Sequence, residues 1–201
     1  MTTIQIKDGN GNLLTVPVLP IGQQTAANSV SYVPASDLGP YSVTVSPTIT
    51  SSSNTTSQSW YTSGQIVGGL LTFSNMVNAS TLSGKIDSVV VTSKSTQTVG
   101  FKLYLFKTNP TNTTWTDKTT PAINSADLPY LIGVYNLDGT DDSGLGVGTI
   151  YQASSTLGAG VSPRVIVLSS TNLYGVLVTS GGPMQFTSTT DVSVTVNILK
   201  T

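Results

Sequence analysis

Near the end of the chain, Val192, Val194, Val196 and Ile198 alternate with Ser193, Thr195 and Asn197. Successive side chains of an extended strand point to opposite faces, so this pattern specifies one apolar and one polar face and excludes a helix over the same residues. From Gln65 onward the pattern is dense β, with strands expected near 65–77, 84–93, 99–107, 130–137, 147–152, 163–169, 173–180 and 190–200, the last the cleanest alternation. Turn residues separate several of them: Ser83-Gly84, Asp138-Gly139 and Ser180-Gly181-Gly182-Pro183. No stretch carries a helical period, and the best local turn is Ser125-Ala126-Asp127-Leu128. No repeat of fixed period points to a solenoid or fibre shaft. The expected fold class is all-β: an antiparallel, jelly-roll-like β-sandwich, with an immunoglobulin-like sandwich as runner-up.

The first third of the chain is different. Thr3-Ile4-Gln5-Ile6-Lys7 alternates, Asp8-Gly9-Asn10-Gly11 turns, and Leu13-Leu14-Thr15-Val16-Pro17-Val18 returns, which reads as a β-hairpin. A lone hairpin is marginal in water and needs a surface to lie on. Residues 19 to about 63 are polar and broken by Pro20, Pro34, Pro40 and Pro47, with apolar points at Tyr32-Val33, Tyr41 and Val43. Their recurrence favours an extended arm over a plain linker, because a linker needs no apolar residues. The expected organisation is a hairpin and arm over residues 1–63 and a sandwich over 64–201. Candidate interaction residues are Ile4, Ile6, Leu13 and Val16 on the hairpin, Tyr32 and Tyr41 on the arm, Trp60 at the junction and Trp115 beyond it.

Composition narrows the function. Only 8% of the 201 residues are charged, 8 basic against 9 acidic, so Ser, Thr, Asn and Gln must cover the surface. Such a surface loses little desolvation energy on packing against protein. It lacks the Lys/Arg stripe expected of a nucleic-acid binder and the basic cluster that meets an anionic membrane. No segment reaches the roughly 18 apolar residues of a membrane span. The N-terminus lacks the basic start and apolar core of a secretory signal, which places synthesis in a cytoplasm. Neither cysteine nor histidine is present, which removes disulfides, thiolates and imidazoles from consideration.

The remaining chemistry is sparse. Asp138, Asp141 and Asp142 form the one acidic cluster and are a calcium candidate, although they lack EF-hand spacing and a bidentate Glu; the plain reading is a solvated Asp/Gly turn. Serine nucleophiles have no histidine base, and nothing in the sequence brings Asp87, Asp117 and Asp127 together as a glycosidase pair. No catalysis and no cofactor are expected. Trp60-Tyr61 and Trp115 could stack on sugar rings, as in a tail-fibre or receptor-binding module for host glycans; packing at the junction and in a loop is the preferred reading.

One stretch is unusual in its order and spacing. Phe101-Lys102-Leu103-Tyr104-Leu105-Phe106 reads as a strand with both faces largely buried, and Asn109-Pro110 ends it. Then come Thr111-Asn112-Thr113-Thr114-Trp115-Thr116-Asp117, a spacer, Ser125-Ala126-Asp127-Leu128, and Leu131-Ile132-Gly133-Val134. From about Lys85 to about Leu137 this pattern resembles a family of tailed-bacteriophage virion proteins, the jelly-roll head decoration (cement) proteins. The resemblance implies a structural role on the capsid exterior, without catalysis. It implies as partners the major capsid protein and further copies of the chain, in a trimer at or near capsid three-fold positions, with no nucleic acid and no membrane.

Overall fold

The computed structural model of the protein describes residues 3–7, 11, 13–17, 40–50, 60–137, 148–154 and 164–201. Met1–Ser36 and Asp37–Thr201 form two separate compact units. In the first, β1 (Thr3–Lys7) and β2 (Leu13–Pro17) pair antiparallel. Ile4 stands opposite Val16 and Ile6 opposite Leu14, whereas Leu13 stands opposite Lys7.

The second unit begins its sheets with β3 (Pro40–Val45) and β4 (Trp60–Tyr61), followed by β5 (Ile66–Phe73), β6 (Ser83–Ser93) and β7 (Phe101–Phe106). A 3₁₀ turn at Leu128–Tyr130 leads into β8 (Leu131–Leu137). Then come β9 (Thr149–Ser154), β10 (Arg164–Val167), β11 (Leu173–Thr179), β12 (Met184–Gln185) and β13 (Val192–Lys200). One sheet has the order β10-β6-β13-β3, with β9 continuing the β10 edge along β6; the other has the order β5-β11-β7-β8. Every pairing is antiparallel, and the pairs nest: β3 with β13, β5 with β11, β6 with β9, β7 with β8. A long hairpin folded on itself and rolled into two sheets gives this order, which is the jelly roll. The nesting of first strand with last excludes the immunoglobulin alternative.

The core lies between the sheets and is built from the expected alternations. Val192, Val194, Val196 and Ile198 of β13 and Phe101, Leu103 and Leu105 of β7 are buried there. Phe101 meets Tyr151 edge-on at 5.0 Å and stacks on Phe186 at 6.4 Å. Such ring pairs add specific geometry to the apolar burial.

Within the stretch read as arm, Pro40–Val45 is a strand of the sandwich. Tyr41, Val43 and Val45 pack against the core, while Thr44 meets Thr195 of β13 at 2.8 Å. The segment escaped the sequence reading because it is short, begins at Pro40 and is followed by Pro47. Proline is tolerated at the first position of an outermost strand, where one N–H has no ladder partner to lose. Tyr41 is therefore a core-facing residue, with Lys200 Nζ 3.6 Å from its ring centre.

Candidate functional site

The outward face of the β5-β11-β7-β8 sheet carries an apolar patch. Ile66, Phe106, Val176 and Val178 are buried there, beneath a cover that includes Trp115, Ile123 and Tyr130. The cover is the loop between β7 and β8, and it coincides with the motif singled out in the sequence. This is why both faces of β7 read as buried: one faces the core and the other faces the loop.

Three devices hold the loop. Trp115 lies 5.5 Å from Phe106, and its Nε1–H donates to the Pro110 carbonyl at 3.0 Å. Inside the loop, the Asp127 carboxylate has no exposed surface and accepts from Asn112 Nδ2 at 2.9 Å and Thr113 Oγ1 at 2.7 Å. Thr113 Oγ1 in turn accepts the Asn124 N–H at 2.9 Å. At the far end, Asp117 accepts from the Gly68 N–H at 2.7 Å, the Thr50 N–H at 3.1 Å and the Tyr61 hydroxyl at 2.9 Å. One carboxylate thereby joins the exit of β3, β4, β5 and the loop.

Gly68 and Gly69 make this junction possible. Leu177 pairs with Val67 and Val176 with Leu70, so the two glycines are extra residues in β5, with φ of +74° and +88°. Glycine reaches this left-handed region without steric cost. A Cβ on Gly68 would lie 2.4 Å from Pro47 Cβ and 2.6 Å from the Thr48 nitrogen, so the close approach admits no side chain. Main-chain bonds then seal the edge of β5: Lys118 N–H donates to the Ile66 carbonyl and Ile66 N–H to the Thr119 carbonyl, both at 2.8 Å.

A third carboxylate does the same work elsewhere. Asp191 accepts from Ser95 N–H and Thr187 N–H, both at 2.8 Å, and from the hydroxyl of Ser95, tying the β6–β7 loop to the turn before β13. For Asp117, Asp127 and Asp191 burial pushes the carboxyl pKa up, but the converging donors outweigh it and hold each below the ordinary carboxylate range. For Tyr61, burial and then the Asp117 carboxylate push the phenol well up, so it stays a donor. These groups are fixed ions and fixed donors whose hydrogen-bonding capacity is spent on loops; chemically, they fasten.

The other sheet has an outward face of different character. Thr44 meets Thr195, Thr92 meets Ser193, and Ser42 donates to Asn197, whose Nδ2 donates to Ser88 Oγ at 2.8 Å. Neutral side chains thus satisfy one another in rows across β3, β13 and β6.

The expected interaction residues disperse. Ile4, Ile6, Leu13 and Val16 lie in the separate hairpin unit, Tyr41 faces the core and Trp115 covers Phe106. Trp60 pairs through its backbone with Gln185, and its neighbour Tyr61 is fully buried, edge-on to Phe186 at 5.1 Å, with its hydroxyl on Asp117. Tyr61 thus offers no face to a sugar. Tyr32 and the calcium candidates Asp138, Asp141 and Asp142 lie outside the described residues. Among the described residues no group of three His, Cys, Asp or Glu side chains could hold a metal. The sequence reading missed the fastening roles of Asp117, Asp127 and Asp191; for the first two the available signal was their place in the unusual motif, and for Asp191 there was none. No protein-family model matches the chain, and no curated protein or solved structure matches it.

Proposed function

We propose that the chain is a non-enzymatic virion structural protein, a decoration (cement) protein on the outer surface of a tailed-phage head. The observation that carries this reading is the motif from Asn109 to Val134: the pattern that resembles the cement family forms one fastened loop, and the start of the strand it leads into, on a jelly-roll sandwich. The sparsely charged surface supports it, because a shell contact built mainly from neutral hydroxyls and amides buries few ions.

In the proposed mechanism, the sandwich forms a trimer and the β1–β2 hairpin with the chain after it engages the major capsid protein. Many weak contacts on one oligomer raise the effective concentration of each, so the assembly holds without any single strong bond. The test is copy number: quantify the protein against the major shell protein in purified particles by mass spectrometry. Hundreds of copies in a fixed small-integer ratio support a lattice component. A few tens of copies or fewer would move the protein to a tail or neck appendage, with glycan binding the next assay. Absence from particles sinks the virion role altogether.

A further inference from the structure

The large apolar side chains that remain exposed among the described residues are gathered on one flank. Val165 (71% exposed) and Val167 (63%) lie on β10; Leu128 and Val134 lie just before and on β8. These are the outermost strands of their sheets on the same side of the sandwich, and an opening of about 290 Å³ between them is lined by Lys107, Leu131, Ile132 and β10 itself. The opposite flank is finished differently: Lys118 and Thr119 close the edge of β5, and β3 starts at a proline. Outermost strands are ordinarily blunted by shortness, proline, charge, a bulge or a cover. β10 is short and begins with Arg164, but between Val165 and Val167 it carries no proline, charge or bulge: Ile166 points inward and is buried, and the pairing with β6 is regular. Among the described residues nothing pairs with its second edge.

We propose that β10 pairs with β10 of a second copy across a two-fold axis, joining two sandwiches through one continuous sheet. The argument for a second copy is self-complementarity. A two-fold contact uses the same patch twice, so the patch must match itself. Antiparallel pairing must also keep outward residues opposite outward residues. With Ile166 on the axis, Val165 falls opposite Val167 of the second copy, twice, and both exposed valines are covered by each other. Lys85 lies opposite Val165 within the chain, and Val167 lies opposite Ser83. The outward row then reads Lys85, Val165, Val167 of the second copy, Ser83 of the second copy. Lysine ends one row and serine the other end, and the two copies of Lys85 stay at least three strand spacings apart, about 14 Å. That exceeds the screening length of roughly 8 Å at physiological salt. The second strand also lies across the mouth of the opening beside Lys107.

Three paired residues from each copy make a small contact, well under the ~1,000 Å² of a stable interface, so it gains strength where copies are already held close together. It is separate from the three-fold contact proposed above and does not depend on the virion role.

The chain has no cysteine, so the variants Val165→Cys and Val167→Cys each carry a single thiol at an exposed site. Directly opposite positions place Cβ atoms about 4.5–5.5 Å apart, while the like-with-like pairs are diagonal neighbours, about 7–8 Å apart. An equimolar mixture of the two full-length variants, mildly oxidised, is resolved by intact mass. The expected product is the mixed dimer in several-fold excess over both like-with-like dimers together, forming faster than dimers of Thr44→Cys on the opposite flank. A statistical mixture, a rate no higher than that control, or no cross-linking overturns the pairing and gives the edge to another partner.

Discussion

The two outward faces of the sandwich solve the same problem in opposite ways. On the β3-β13-β6 side, hydroxyls and amides meet one another in rows and the face needs no cover. On the β5-β11-β7-β8 side, Phe106, Val176 and Val178 point outward and a long loop is laid over them. With few charges to spend, the chain makes one face presentable by pairing neutral polar groups and the other by importing a lid of its own sequence. The lid is then held by carboxylates that cannot be replaced by neutral groups without loss, because each gathers several donors at once.

The comparison is sharpest at Phe106, which is buried under Trp115. Phe106→Ala should cost about 3–5 kcal/mol, the range for a buried aromatic truncated to alanine, read as a lower urea midpoint. A cost below about 1 kcal/mol would mean the loop does not seal that face. Asp117→Ala comes next, at about 1–3 kcal/mol, since Gly68 N–H, Thr50 N–H and the Tyr61 hydroxyl lose an acceptor together.

The same carboxylates set the acid limb. Asp117, Asp127 and Asp191 are held below their unfolded value of about 3.9, so they favour the folded state fully above that pH. That contribution is lost as pH falls through their lower folded values. Stability measured across this window should drop steeply in the native protein and less steeply in Asp117→Asn. The smallest effect is expected on the hydroxyl face: Thr195→Ala should cost at most about 1 kcal/mol, because Thr44 Oγ1 is exposed and water replaces the lost partner. A larger loss there would erase the contrast between the faces.

Val192–Lys200 was legible because burial on one side and solvent on the other write a period of two into the sequence, and Phe101–Phe106 because an apolar strand run with mixed residues on its second face reads as buried on both sides. Pro40–Val45 was not, because six residues that begin at one proline and stop just short of another, in a polar tract, give too short a pattern; only pairing with β13 reveals its role. The loop was legible as unusual but not as a cover, since its apolar residues Trp115, Ile123 and Tyr130 follow no period. Asp191 left no mark at all, because its donors Ser95 and Thr187 are remote from one another in the chain.

By itself, then, the sequence determined an all-β chain without thiol or imidazole chemistry, with apolar and polar residues assigned to opposite faces of its strands. Those properties are local, residue by residue. The nesting of β3 with β13, the lid over Phe106 and the junction at Asp117 were decided by the tertiary structure. Each depends on contacts between segments far apart in the chain, whose free energy appears only when the chain brings them together.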